Sequence, residues 1–522
     1  MKQLIASMSI FRQPRGLRRS ETVKAKILLL CAGFAITPLL SAQVNCSNYV
    51  KLQTNSVLAQ LKVNQGPLVC QFPFNANALA QTYFGGNGVT SAAQLGIFTG
   101  LSQSFASVTA PLNASIASQL SQLPMPSASA GTIQFKLPGS DVPQPFNNLG
   151  PLLTDRPDTL PKRHFFLSFA YQHFNFTEID GLGLSSLNLA SSVSSGPSGG
   201  LPAPNSPTQD CTQEGASCGT LYAGLQSSVS FQLDQYIALL TYGLTNSTEI
   251  SVAVPINSVS TKTTSSQYNS YFYVPANSSN ATPAQYLPLA QYDPKNPQGQ
   301  TPLQTSGSAT GVGDVMVNVK QMLLGEVGRY AVAAGAQFRF PSGDANNYLG
   351  SGAYGANIYG IVEYRASYKG HGIAPHLKFG YQWNGQSQIM DIQSPPHLRL
   401  PGGLDYAFGS DFGILRTLSF AVDGVGHQYV NAPVLNSSSL SMPAVPSQQM
   451  GFINIPNPSN PSLPTVSNGT TTYTTFNFSG GFKWMPPGVK NHIVIYGNVL
   501  VPVNDVGLHS DPVPMAGIAF IK

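Results

Sequence analysis

Between Gly311 and Asn384 the chain alternates apolar and polar residues in four successive runs. Val315, Val317 and Val319 alternate with Asp314, Met316, Asn318 and Lys320. Val332, Ala334, Ala336, Phe338 and Phe340 alternate with Ala333, Gly335, Gln337 and Arg339. Ile358, Val362 and Tyr364 alternate with Glu363 and Arg365, and Leu377, Phe379, Tyr381 and Trp383 with His376, Lys378, Gly380 and Gln382. A period of two places each set on one face of a strand. One face is aromatic and β-branched; the other carries formal charge.

The same pattern predicts about twelve strands from Arg163 to the C-terminus, most of them about 9–14 residues long. That length crosses a bilayer when the strand is tilted, whereas soluble strands usually run ~5–6 residues. The first run is His164–Phe176, and the last is Met515–Lys522, with Ala516, Ile518 and Phe520 outward. The run Lys490–Val501 is ambiguous in phase. Short and long connections alternate. Thr245–Ser247, Gly325–Gly328, Lys369–Gly372, Gly413–Arg416 and Pro486–Val489 read as tight turns; about 177–227, 260–310 and 430–472 read as long loops. This asymmetry is that of bacterial outer-membrane barrels, with short periplasmic turns and longer extracellular loops. The fold expected is an antiparallel transmembrane β-barrel over 161–522, its apolar face to lipid and its charged face to a lumen.

Composition favours that reading over a soluble sandwich. Charged residues make up only 9%, against roughly 25% in ordinary soluble proteins. Tyr171, Tyr236, Tyr381, Trp383 and Trp484 are available for interfacial girdles. After the N-terminus no run of about 18 or more apolar residues occurs, so helical spans are excluded. The net charge of +5 is small and unclustered, which gives nucleic-acid binding no support.

Residues 1–43 read as a signal peptide. Basic residues from Lys2 to Lys26 precede the apolar run Ile27–Leu40, and Ser41-Ala42-Gln43 supplies small residues for cleavage. The apolar run is about 14 residues and contains Gly33 and Pro38, short of the ~20 that a spanning helix needs. The localisation expected is the outer membrane of a Gram-negative-type bacterium. Cys46, Cys70, Cys211 and Cys218 remain beyond this signal. An even number in an exported chain permits disulfides; proximity favours Cys46–Cys70 and Cys211–Cys218, though four cysteines allow three pairings.

Residues 44–160 differ in texture. Leu95–Leu123 suggests a weakly amphipathic helix broken by Pro111, and a proline-rich irregular stretch follows. Its position before the first strand suits a periplasmic extension, a plug in the barrel mouth, or a loosely ordered tail.

Four segments resemble, in the same order, the outer-membrane family named for the meta-pathway of phenol degradation. They are Leu149–Thr159 (LGPLLTDRPDT), Thr241–Pro255 (TYGLTNSTEISVAVP), Gly311–Lys320 (GVGDVMVNVK) and Phe340–Gly352 (FPSGDANNYLGSG). The resemblance spans about Leu149 to the C-terminus. It implies a monomeric-type outer-membrane barrel, usually described as a transporter, whose partners are membrane lipid and a small-molecule solute, aromatic or hydrophobic compounds among the candidates. The chain departs from the usual outer-membrane terminus: it ends on Lys522, with Phe520 two residues earlier.

Read as a barrel, the lumen-facing set includes Lys320, Arg339, Glu363, Arg365, His376, Lys378, Asp405 and Asp423, together with Asp314, Asp411 and Lys483. Both signs are present, so neighbouring strands can pair charges across the pore, and the set as a whole sets what passes. No cofactor, metal or catalytic set is expected. Asp344, Asn346 and Asn347 read as a turn rather than a calcium loop. The eight His show no HExxH or His-x-His pair, and His173, Asp180 and Ser185 have nothing that binds them into a triad. The alternatives to a channel are a structural or adhesive barrel acting through its long loops, and a barrel-embedded hydrolase.

Overall fold

The structure is a computed structural model. It describes residues 50–52, 61–63, 67–71, 112–113, 115–121, 133–135, 144–146, 149, 152–195, 219–267, 269–274, 284–290, 303–325, 329–368, 371–387, 389, 399–415, 417–445, 460–487 and 493–521. The signal segment 1–43 lies outside the described residues, as do Cys46, Cys211, Cys218 and the side chain of Cys70.

Twelve strands form the wall: β1 (Phe165–Ile179), β2 (Gly219–Gly243), β3 (Thr248–Gln267), β4 (Leu303–Val312 and Val315–Leu324), β5 (Tyr330–Phe340), β6 (Gly355–Tyr364 and Ala366–Tyr368), β7 (His371–Asn384), β8 (Gly403–Leu415), β9 (Leu418–Ser441), β10 (Ser462–Trp484), β11 (Ile493–Pro502) and β12 (Val513–Ile521). Each pairs antiparallel with its sequence neighbour, and β12 returns to pair with β1 from Met515↔Gln172 to Ile521↔Phe166. The barrel is therefore closed, which satisfies every strand edge within the wall, as a span in lipid requires.

The alternation read from the sequence holds. Phe169, Leu240, Phe338, Ile358, Val362, Leu377, Phe379, Phe408, Phe420, Val422 and Phe482 are exposed on the outside, Phe379 at 54%. Tyr236, Trp383 and Trp484 lie on the same outer surface. Their neighbours Glu363, Arg365, His376, Asp411, Asp423 and Lys483 are buried inside. A closed barrel with an apolar aromatic outer face and charges within is an outer-membrane β-barrel. Among the described residues no helix is long and apolar enough to cross a membrane. The phase of β11 is settled by burial: Val494, Tyr496 and Leu500 face inward, Ile495, Val499 and Val501 outward.

Among the described residues, three of the expected long loops are largely strand. β2 runs 25 residues and β3 runs 20, β9 runs 24 and β10 runs 23, well beyond the ~9–11 that a bilayer needs. The arms of β9 and β10 stay paired from Ala432↔Thr471 to Ser441↔Ser462 after a bulge between Tyr429 and Ala432. Leu187–Ser195 pairs with the outer half of β2. These arms are rich in Ser, Thr and Asn on both faces. Outside lipid no apolar outer face is demanded, so the alternation that marks a membrane strand is missing there.

Inside the barrel, three stretches of the N-terminal segment pack against the wall. Leu68, Val69, Leu112 and Ile116 share a buried apolar cluster with Phe174, Phe176, Leu435 and Leu500. Leu149 and Leu152 share another with Phe166, Val494 and Tyr496. Residues 112–113 and 115–120 are helical, beginning just after Pro111, where a proline is tolerated before the first turn.

Candidate functional site

Inward-facing charges of the wall converge on Leu149–Leu160. Arg156 is its centre. Arg156 Nε donates to Glu363 Oε2 at 2.9 Å and lies 3.9 Å from Asp411 Oδ2 and 4.0 Å from Asp158 Oδ2. Arg156 has no solvent exposure. Burial works to lower its pKa, but Glu363, then Asp411 and Asp158, outweigh it and the pKa is raised, so the guanidinium is charged. Glu363 Oε1 also accepts from Arg365 Nε at 2.7 Å, and Arg365 reaches Asp158 as well. Burial raises the Asp158 pKa against the lowering pull of Arg365.

A second node sits at Lys320. Its ammonium lies 2.9 Å from Glu249 Oε1 and 3.1 Å from Asp155 Oδ1, and donates to the Arg156 carbonyl at 2.8 Å. Glu249 in turn accepts from the Leu160 backbone N–H at 2.7 Å. A third node joins Thr154, which donates to Asp423 Oδ1 at 2.9 Å and contacts His376 Nε2. His376 Nε2 is 3.2 Å from Asp423 Oδ1. The Leu149 carbonyl accepts from Lys483 Nζ at 3.3 Å, and its N–H donates to Ser419. The segment is thus held from Leu149 to Leu160 by side chains of β3, β4, β6, β7, β8, β9 and β10.

Register explains how separate strands meet. Glu363 pairs with His376, His376 with Gly409, and Gly409 with Asp423, so these four stand at one level on β6 to β9. His376 and Asp423 are two strands apart and meet over Gly409. A Cβ there would lie 2.3 Å from Asp423 Oδ1 and 2.9 Å from His376 Nε2. Only glycine leaves room for that contact.

Donor atoms of His376, Asp411 and Asp423 lie within 4.8 Å of one another, a spacing a divalent cation can bridge. Thr154 already links His376 and Asp423, and Arg156 sits beside Asp411. His376 and Asp423 are thus partnered within this chain, while neither Asp411 oxygen receives a hydrogen bond among the described residues.

Further out, Arg339 lies 3.8 Å from Asp314 Oδ2, donates to Asn384 Oδ1 at 2.8 Å, and donates to the Ser121 carbonyl of the luminal helical stretch. Tyr348 donates to Asn113 Oδ1 at 2.6 Å on the same stretch. Asp405 accepts from Asn357 and pairs with His427. Lys378 stands over the Tyr359 ring at 4.2 Å.

The residues expected to line a lumen, Lys320, Arg339, Glu363, Arg365, His376, Lys378, Asp405 and Asp423, are all on the inward face. The structure draws Lys320, Glu363, Arg365, His376 and Asp423 onto Leu149–Leu160, and leaves Arg339, Lys378 and Asp405 around a cavity beyond it. Reading by strand missed Glu249, although it opposes the outward Ile250 and Val252. It also left Asp155, Arg156 and Asp158 out of the lumen. Their signal was a charge-dense Asp-Arg-Pro-Asp in a charge-poor chain. Asp344 accepts from Asn346 N and Asn347 Nδ2, which makes the turn expected there. His173 pairs with Asp234 at 2.8 Å, while Asp180 accepts from Leu435 N and Gly507 N, so these two are not brought together.

Residues 234–429 match the family model described as "Putative MetA-pathway of phenol degradation". The match runs from within β2 to within β9, and the resemblance read from the sequence motifs is borne out over that stretch. No curated protein matches the chain. Among solved structures it is similar to the COG4313 outer membrane channel from Pseudomonas putida F1, at 11% identity and a TM-score of 0.36, over 70% of this chain and 98% of that one. It is also similar to the NanC porin, at 10% identity and a TM-score of 0.28, over 64% of this chain and 98% of that one. A FadL homologue from Pseudomonas aeruginosa matches at 7% identity and a TM-score of 0.24, over 69% of this chain and 89% of that one.

Proposed function

We propose that the protein is an outer-membrane channel or transporter for small molecules in which Leu149–Leu160 acts as a luminal plug. The observation that carries the reading is the way this segment is held. Its bonds to the wall run through ion pairs and side-chain hydrogen bonds at Glu249, Lys320, Glu363, Arg365, His376, Asp423 and Lys483. A segment needed only to fill a structural core would be held more cheaply by apolar packing, because burying charge is costly unless it is paired. Twelve strands enclose a lumen wider than the eight-strand case that wall side chains fill alone. The described parts of the N-terminal segment, Leu68, Val69, Leu112, Ile116, Leu149 and 152–160, are accordingly occupants of that lumen, and Lys320, Arg339, Glu363, Arg365, His376, Lys378, Asp405 and Asp423 are its lining.

Conductance in planar bilayers tests this. The full chain should give small or rare openings, and a chain lacking 44–160 should give larger, steady ones. If both are sealed to ions and to liposome-swelling solutes, the channel reading fails.

The paired arms of β9 and β10 favour a second role at the cell surface. They pack with Leu187–Ser195 through Ala190 N–H donating to Thr465 Oγ1 at 2.9 Å, and with Tyr286, which donates to the Pro443 carbonyl. Loss of surface binding with unchanged conductance on shortening 432–471 would identify that role.

A further inference from the structure

Beyond the plug lies a cavity of about 230 Å3. Lys378, Asn357 and Gln382 line one part of it, and Phe174, Phe176 and Leu508 another, with Gln119 of the helical stretch facing them. It is large enough for a single ring with one polar substituent, since a cavity of roughly 150 Å3 holds benzene. Phe174 and Phe176 are stacked, with centroids 5.8 Å apart and planes at 7°.

Lys378 is the unusual group. Among the described residues its ammonium donates no hydrogen bond and makes no ion pair, although the charges of Asp155 and Asp405 reach it. Its contact is the Tyr359 ring at 4.2 Å, and Tyr359 is itself fixed by donating to Asn318 Oδ1 at 2.7 Å. The nearest anionic group in the lining, Asp405, has its oxygens engaged by Asn357 and His427. Lys378 pairs across β8 with Ala407, whose small side chain leaves space beside it. An ammonium carries three donors; Lys378 is half-buried and lines the cavity, so those donors are available to a ligand acceptor. A ligand carboxylate would supply those acceptors; a ligand cation would be repelled by Lys378, with Asp405 already engaged by Asn357 and His427.

We infer that this cavity is a binding site for a small organic monoanion with an apolar body, its carboxylate on Lys378 and its apolar part against Phe174, Phe176 and Leu508. The site rests on the channel reading in that a luminal solute reaches it. It gives that reading a substrate class.

Ligand-observed NMR titration of the refolded full chain in detergent, with sodium benzoate, benzyl alcohol and benzylamine as probes, tests it. Wild type should bind benzoate saturably, benzyl alcohol more weakly and benzylamine least. Lys378→Met should weaken benzoate about 10-fold and leave benzyl alcohol unchanged, with folding confirmed by the heat-modifiable gel band. Wild-type benzylamine binding as tight as benzoate, or no saturable benzoate binding, overturns the site even if the variant does not fold. Equal benzoate affinity in Lys378→Met and wild type overturns it too. Saturable binding in a barrel that never conducts would support the site and sink the channel reading; conduction without benzoate binding would sink the site alone.

Discussion

Arg156 and Glu363 stand 207 positions apart in sequence, yet the guanidinium Nε and the carboxylate Oε2 are 2.9 Å apart with neither side chain exposed. One belongs to the segment before the first strand and the other to β6. The pair ties the luminal segment to the wall, and Arg365 and Asp158 close it into a four-membered set.

Arg156→Met should therefore loosen the segment rather than the barrel. Removing one member of a buried pair leaves an uncompensated charge and costs about 3–5 kcal/mol. Here Arg365 still covers Glu363, which puts the expectation at the lower end. Bilayer recordings should show more frequent openings, while the heat-modifiable band is retained. Unchanged gating would mean that the Arg156–Glu363 pair does not hold the plug in place.

Gly409→Ala should break the contact between His376 and Asp423. The new Cβ would lie 2.3 Å from Asp423 Oδ1 and 2.6 Å from the Val422 carbonyl, and overpacking of this kind costs about 1–3 kcal/mol. Thermal unfolding in detergent should shift down. Gly480→Ala is the matched control, because nothing lies within 4 Å of a Cβ there, and it should leave the midpoint nearly unmoved.

Phe379→Arg should impair insertion, because Phe379 is on the lipid face and 54% exposed. An arginine at the bilayer midplane of such a barrel costs about 2–4 kcal/mol. The folded fraction after refolding into liposomes should fall sharply. A normal yield would mean that this position does not face hydrocarbon.

Asp180, at the outer end of β1, sets a pH dependence. Burial raises its pKa despite hydrogen bonds from the Leu435 and Gly507 N–H groups, which pull it down. A folded pKa above the unfolded one gives a stabilisation that is full below the unfolded value and is lost as pH rises through the folded one. Asp180→Asn has no such titration. The stability of wild type relative to Asp180→Asn should thus rise as pH falls into the carboxylate range, read by hydrogen exchange at Gly507 and Leu435. A flat difference would exclude the effect.

Within the membrane zone the sequence by itself determined the fold. Alternation is local, and lipid outside with polar groups inside makes the contrast between the two faces of each strand sharp. Leu377, Phe379, Tyr381 and Trp383 could be set against His376, Lys378 and Gln382 without coordinates, and so could the side on which Glu363 and Asp423 fall. The tight turns carried their own residues. Outside the membrane that contrast vanishes, and the Ser- and Thr-rich arms of β9 and β10 read as loop although they pair through Ser441↔Ser462.

Only the tertiary structure decided what the inward charges do. Closure of β12 on β1 brings distant strands to one level, and the path of Leu149–Leu160 inside the wall supplies their partners. Gly409 shows the difference most plainly. In the sequence it is one glycine among 50; in the barrel it is the gap through which His376 and Asp423 meet, because a contact over an intervening strand depends on register, which no local pattern encodes.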